Sequence, residues 1–372
     1  MKSLTIKLIL IFLVFLQAVS ANAQEGDFAD IFRGAPADAA LYLENFVSPA
    51  MLSFSNGMAA GWYNTAKTHK PFGMDLSFSL NVANMPTSER LFSFNPSEYN
   101  FLRVKGTSGS IQMPTLVGGA TSQILMVQTS QPVVVDGVTY QYENTKEFDA
   151  PGGFDVEDVP FVGVPAPTLQ LGIGIFKNTD IKLRFVPEQK FEDYSVKMFG
   201  IGVLHDVKQW IPGIRQVPID ISIFAGTTKL QAEYHFEGGD PLGISDDWVV
   251  ENGLAEFEAT ASTFQALVSK KISFFTPYFG IGFNTVKTSL VVNGDYELFS
   301  LKDVNNPLNH FQYQSVSGND DPVMLNFNGG GGMRTTLGFR LKFFILTLNA
   351  DYTIQKYNTL TLGLGFTFRE NS

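Results

Sequence analysis

The sequence predicts an all-β fold, a transmembrane antiparallel β-barrel of about 12–14 strands with a short N-terminal helical segment. Three observations predict it. First, an apolar residue and a glycine alternate strictly in Leu171-Gly172-Ile173-Gly174-Ile175, Phe199-Gly200-Ile201-Gly202-Val203, Phe279-Gly280-Ile281-Gly282-Phe283 and Leu362-Gly363-Leu364-Gly365-Phe366. A period of two is that of an extended strand with side chains facing opposite ways. One face is bulky and apolar, and the other is stripped of side chains. Second, the clear strands run nearer ten residues than the usual five or six. Third, their polar face is rich in glycine rather than in the lysine and glutamate of a solvated sandwich, and Phe366-Thr367-Phe368 sits close to the C-terminus.

The chain opens with a secretory signal over residues 1–23. Lys2 and Lys7 supply the positive start, Leu8 to Leu16 the apolar run, and Ala21-Asn22-Ala23 a small-x-small cleavage site. That run is too short to span a bilayer as a helix, so cleavage is expected rather than anchoring. There is no cysteine, which removes both a lipid anchor and disulfides, and leaves burial and hydrogen bonding to hold the fold. The formal charge is −10. Two of the 26 basic residues and none of the acidic ones lie in the signal, leaving −12 for the mature chain. Such a balance argues against nucleic acid and against a polybasic membrane-surface protein.

Residues 24–66 form a segment of their own. Asp38 to Phe46 has apolar spacing suited to a short helix, Pro49 is expected to break it, and Met51 to Ala60 has room for a second turn or two. This segment reads either as a periplasmic lead-in or as a hatch inside the barrel. The small residues Gly57, Ala59, Ala60 and Gly61 favour the hatch.

Residues 67–372 are assigned to the barrel. Strands are expected from Phe72 to Val82, near 100–105, and near 167–176, 180–188, 195–206, 218–236, 254–269, 277–291, 331–342, 345–356 and 358–368. Residues 120–142, apolar on both faces, fit either barrel strands or a hairpin folded over the rim. Short turns such as Lys177 to Asp180 alternate with long connections such as 237–253 and 292–327, the outer-membrane arrangement with short turns periplasmic. Centring one turn between Phe343 and Phe344 pairs Phe339 with Leu348 and Leu341 with Leu346. Centring the next on Tyr357 pairs Tyr352 with Leu362 and Leu348 with Phe366. Both hairpins then share one apolar face, and a one-residue slip would scramble it. The opposite face collects polar groups. The lumen-facing candidates are therefore Asp75, Arg334, Arg340, Asn349 and Asp351, with the glycines Gly172, Gly200, Gly280 and Gly363.

Charge sorts by side, with Lys190 and Lys302 as exceptions among the outer loops. The periplasmic turns carry Lys177, Lys208, Arg215, Lys270, Lys271 and Lys342. The outer loops carry acidic clusters such as Asp155, Glu157 and Asp158, and Asp240, Asp246 and Asp247. These loops read either as ordinary solvated loops or as contacts to lipopolysaccharide through bridging divalent cations.

No catalytic constellation stands out. His69, His205, His235 and His310 lack metal spacing, and no G-x-S-x-G elbow occurs. Asn319-Asp320-Asp321 lacks the spacing of a calcium loop, and the Gly329 to Gly332 run opens no helix. His205-Asp206 suits a structural hydrogen bond at a turn, and Trp210 suits either an interfacial girdle or packing under its own turn. The expectation is a protein that is not an enzyme, without catalytic, metal or cofactor residues; no cofactor is expected.

Two stretches carry a resemblance. Pro167-Thr168-Leu169-Gln170-Leu171-Gly172-Ile173-Gly174 through Asp180-Ile181-Lys182-Leu183-Arg184-Phe185-Val186-Pro187 resembles an uncharacterised family of Bacteroidota outer-membrane β-barrel proteins. So does Gly200 to Asp206 followed by Gln209-Trp210-Ile211-Pro212. The resemblance covers most of the mature chain and is sharpest over 165–226. A helical lead-in before a medium-sized barrel is also similar in architecture to outer-membrane long-chain fatty acid transporters. These resemblances imply the outer membrane of a Gram-negative bacterium, with outer-membrane lipids and lipopolysaccharide as surroundings. Neither carries over a binding residue. The expected function is passage or binding of small hydrophobic molecules; the alternative is a non-transporting scaffold for a surface or secretion assembly.

Overall fold

The computed structural model describes residues 36–135, 138–153, 163–191, 193–236, 250–300, 312–316 and 323–370. The signal and the acidic residues of the 155–158 and 240–247 loops lie outside them. The described chain starts with helix α1 (Pro36–Met58) and then enters β1 (His69–Ala83). An excursion of short elements follows: β2 (Leu91–Phe94), β3 (Leu102–Val104), β4 (Ile111–Pro114), β5 (Ile124–Val135) and β6 (Val138–Asp149). Long strands come next: β7 (Val164–Ile175), β8 (Thr179–Phe191), β9 (Tyr194–Asp206), β10 (Asp220–Phe236), β11 (Val250–Ser269) and β12 (Phe275–Ser300). The chain ends through β13 (Gln312–Val316), β14 (Val323–Phe327), β15 (Gly332–Phe343), β16 (Leu346–Ile354) and β17 (Thr359–Glu370).

Ten strands close a ring in the order β1-β7-β8-β9-β10-β11-β12-β15-β16-β17 and back to β1, all antiparallel. A closed ring leaves no sheet edge. The wall is thus an antiparallel β-barrel, with ten strands where the alternation pattern counts about twelve to fourteen. The difference lies in the excursion. β1 pairs directly with β7, from Met74 opposite Ile173 to Ala83 opposite Val164, and seals the wall behind residues 84–163. The strand expected near 100–105 is β3, which pairs with β5 outside the ring. Residues 124–135 and 138–142 lie in the β5–β6 hairpin of that same small sheet. Strands also occur within the connection expected over 292–327. β12 runs on to Ser300, pairing first with β15, then with β14 and finally with β13.

Alternation sets the two faces of the wall. In β17, Leu360, Leu362, Leu364, Phe366 and Phe368 point outward and remain 43–51% exposed, while Thr359, Thr361 and Thr367 are buried. β1 repeats this, with Met74 and Leu76 outside and Asp75, Ser77, Ser79 and Asn81 buried. Both closing hairpins keep the expected faces but shift their pairing by two residues. Phe339 lies opposite Ala350 and Leu341 opposite Leu348. Tyr352 lies opposite Leu360, and Leu348 opposite Leu364. Turn geometry causes the shift. The first turn holds only Phe344 and Ile345, with Phe344 at φ 56°. The second spans Gln355 to Asn358, where the Gln355 amide donates to Asn358 Oδ1 at 3.0 Å.

Helix α1 is continuous through Pro49 rather than broken there. Proline removes one helical donor and disturbs the carbonyls of the preceding turn. The amide it lacks would have faced the Asn45 carbonyl. The next carbonyl, that of Phe46, accepts from the Leu116 amide at 2.8 Å, which ties the excursion to the helix beside the proline. The excursion packs on the first half of α1. Buried Tyr42 and Phe46 meet Phe94, Tyr99, Leu102 and Met113, with Phe94 and Tyr99 stacked at 4.3 Å between ring centroids. Asp38, in the first turn, accepts from the amides of Asn100 (2.9 Å), Phe101 (2.6 Å) and Leu102 (2.9 Å). Burial pushes the Tyr99 phenol up to about 12.

Hydrogen bonds to an ionised carboxylate contribute about 1.5–3 kcal/mol each. Asp38→Ala is therefore expected to loosen the excursion and leave the ring intact. Limited proteolysis should open new cleavage sites within residues 95–128 while the folded barrel still resists dissociation by detergent in a gel. Unchanged cleavage would contradict the tie.

Candidate functional site

The interior of the ring is the candidate site, and residues 36–68 run through it. A helix leaves its last carbonyls without intrahelical partners, and they carry partial negative charge. Here two arginines take them. Arg184 of β8 donates from Nη1 to the Met58 carbonyl at 2.7 Å and from Nη2 to the Ala60 carbonyl at 2.6 Å. Arg334 of β15 donates from Nη1 to the Ala59 carbonyl and to Thr263 Oγ1, both at 2.9 Å. β8 and β15 stand five strands apart in a ring of ten, so the two grips come from opposite sides. Arg184 also lies 3.7 Å over the Trp62 ring and donates from Nε to Gln170 Oε1 at 3.2 Å.

Further polar pairs hold the segment along its length. Ser55 Oγ meets Thr288 Oγ1 at 2.7 Å, and Asn284 Nδ2 donates to Asn56 Oδ1 at 2.9 Å. Gln170 Nε2 donates to the Trp62 carbonyl at 3.0 Å, Tyr63 Oη to Gln265 Oε1 at 2.8 Å, and the Ala66 amide to Ser269 Oγ at 3.0 Å. At the short-turn end, Asp180 accepts from the His69 amide at 2.9 Å and lies 2.8 Å from His69 Nδ1. Asp75 is 3.5 Å from Lys182 and 3.7 Å from His69 Nε2. Below the helix, Trp62, Tyr63 and Ala66 pack against Leu204, Phe224, Leu267 and Tyr278, with Trp62 and Phe224 5.3 Å apart.

The glycines make that packing possible. A Cβ at Gly280 would lie 2.6 Å from Tyr63 Oη, and one at Gly202 2.9 Å from the Phe224 ring and 3.1 Å from Trp62. A Cβ at Gly172 would strike the Asp75 carboxylate at 2.2 Å, one at Gly363 the Asn349 amide at 2.3 Å, and one at Gly200 Thr228 Oγ1 at 2.9 Å. The stripped face is occupied by neighbouring side chains and by residues 58–66.

The structure buries Asp75, Arg334, Arg340, Asn349 and Asp351. Of these, Arg334 bonds the 36–68 segment directly. Arg340 pairs with Glu370 at the closing strand, and Asp351 accepts from Tyr278 Oη at 2.8 Å. Arg184, Gln170, Gln265, Trp62 and Tyr63 escaped the sequence reading. Arg184 was within reach of it, since Asp180, Lys182 and Arg184 alternate with outward Ile181, Leu183 and Phe185. His205 bonds Thr179 Oγ1 at 2.8 Å and accepts from Trp210 Nε1 at 2.8 Å, with Trp210 exposed at the turn. Among the described residues, no group of three or more His, Cys, Asp or Glu side chains is placed to hold a metal ion. No described helix is long and apolar enough to cross a membrane.

A family model described as a family of unknown function (DUF6588) matches residues 1–368. The chain belongs to that family. No curated protein matches the sequence. Among solved structures, the translocator domain of autotransporter NalP from Neisseria meningitidis shares 10% identity, with 91% of this chain and 99% of that one covered, at a TM-score of 0.27. Ail, the attachment invasion locus protein of Yersinia pestis, shares 8% identity over 80% of this chain and 100% of its own, at a TM-score of 0.22. A TodX deltaS2S3 mutant, a monoaromatic hydrocarbon channel, shares 9% over 93% and 99%, also at 0.22. The barrel of this chain is closed by its own strand pairing, with β17 on β1.

Gly280→Val is expected to overpack the lumen against Tyr63 and Leu267, a change that typically destabilises by about 1–3 kcal/mol. Gly109→Ala, with nothing within 4 Å of the added methyl, serves as control. Thermal unfolding in detergent should drop for the first and not for the second. Equal midpoints would contradict the seating of Tyr63.

Proposed function

We propose that this protein is an outer-membrane barrel of a Gram-negative bacterium that passes or binds small hydrophobic molecules, its lumen closed at rest by residues 36–68, and that it is not an enzyme. The outward belt supports the membrane part. The outward positions of β17 from Leu360 to Phe368 are all apolar and exposed. These positions run over nine residues, from Leu360 to Phe368, which matches the roughly 9–11 residues of a tilted transmembrane strand. A wall closed on itself also satisfies its backbone without water. Exposed Phe176, Trp210, Phe274 and Phe344 line the short-turn rim, where aromatic side chains suit the headgroup level.

The observation that carries the function is the filling of the lumen. The segment inside the ring is held by discrete side-chain bonds to the wall rather than by a continuous β-ladder, and it is joined to the wall covalently only where it enters β1. An element so attached is able to leave its seat without unfolding the ring. The aromatic cluster beside Trp62 offers an apolar surface to a ligand taking its place. The scaffold reading draws on a different feature, the small sheets of the excursion and the extension of β12 past the ring, which present a surface at the far rim.

A cysteine-free chain makes the test clean. Ser55→Cys with Thr288→Cys should form a disulfide across the 2.7 Å hydroxyl contact. In cells whose lipopolysaccharide excludes apolar dyes, the reduced variant should raise uptake of 1-N-phenylnaphthylamine, and the oxidised one should return it to the level of cells without the protein. Equal uptake in both redox states would contradict the proposal.

A further inference from the structure

We infer that Arg184 and Arg334 form a binding site for a compact organic carboxylate, which the end of α1 fills when no ligand is present. The inference rests on the reading of the lumen as a ligand path and names the chemistry of the ligand. Other cations on the inner wall have carboxylate partners: Lys182 has Asp75, and Arg340 has Glu370. Among the described residues, neither Arg184 nor Arg334 has one within ion-pair distance. Their partners are main-chain carbonyls, a glutamine and threonine hydroxyls. Both side chains are buried, at 0% and 2% exposure, and Arg334 Nε has no hydrogen-bond partner. A guanidinium so placed has donors to spare.

Helix-end carbonyls carry only a fraction of a negative charge. A carboxylate brings a full charge and two oxygens whose spacing matches the guanidinium fork. It would therefore make stronger bonds at each arginine than the carbonyls of residues 58–60 do, and displacing them would release the segment. The wall fits an aromatic body on that carboxylate. Trp62 and Tyr63 pack on Phe224 and Tyr278 of the wall, and an aromatic ligand would replace them against those two rings. Asp351, the acidic group in electrostatic reach of Arg334, is held by the Tyr278 hydroxyl.

Trp62 reports on the site directly. In full-length protein carrying Trp210→Phe and Trp248→Phe, Trp62 is the remaining tryptophan. Titration with benzoate should change its emission saturably, and benzyl alcohol, the neutral counterpart, should leave it unchanged. Arg334→Gln should weaken benzoate by about tenfold or more, as loss of about 1.4 kcal/mol requires. Arg334→Lys keeps the charge without the fork and should also weaken it, with thermal unfolding confirming that each variant is folded. Unaltered benzoate affinity in a folded variant would overturn the site. So would an equal response to both probes. If benzyl alcohol alone saturates, the carboxylate site falls while the path for hydrophobic ligands stands. If neither probe binds, the site falls and the disulfide test decides the path separately.

Discussion

A closed ring of strands has an inside that must be filled, and this wall fills little of it with its own side chains. Glycine at 172, 174, 200, 202, 280, 282, 363 and 365 removes bulk from the inner face, and what bulk remains there is largely polar. Buried polar groups need partners, and unmade hydrogen bonds inside a protein are expensive. Residues 36–68 answer both needs. They bring aromatic rings to the glycine lanes and donors and acceptors to Gln170, Gln265, Ser222, Ser269 and Thr288. The outer face, the inner polar lining and the threaded segment are consequences of one closure.

The arginine pair is the sharpest expression of this constraint. A helix that stops inside a barrel leaves its carbonyl end where water is scarce. Guanidinium groups from opposite walls meet that end, so the place where α1 stops is set by where β8 and β15 put Arg184 and Arg334. The same two contacts fix the rotation of the segment, because Arg184 reaches the carbonyls on either side of the one that Arg334 takes.

How much was legible follows from the period of each signal. Alternation identifies which residues face out in β1 and β17, while β10 turns Phe224 and Leu230 inward and leaves Lys229 exposed. It is blind to a slip of two. Phe339 therefore pairs with Ala350 rather than Leu348, although every apolar residue kept its side. Alternation also says nothing of which strand pairs with which. Val133 to Val135 reads equally well as barrel wall or as part of a hairpin off the ring, and the direct pairing of β1 with β7 decides the matter. Pro49 reads as a break because its local cost is visible in sequence, while the packing of the excursion on α1, with the Leu116 amide on the Phe46 carbonyl seventy residues away, is not. Asp75 and Arg334 were legible as inward groups. The Ala59 carbonyl that Arg334 takes was not, since a contact between a residue off the strands and a strand has no period at all.

Hydrogen exchange of the backbone amides, followed by mass spectrometry on the protein in lipid nanodiscs, tests this account most directly. Amides of residues 52–66 should exchange far more slowly than those of exposed turns, since they sit inside the sealed ring with buried partners. Exchange as fast as that of the exposed turn at residues 212–216 would show that the segment does not fill the lumen, and the account would fail.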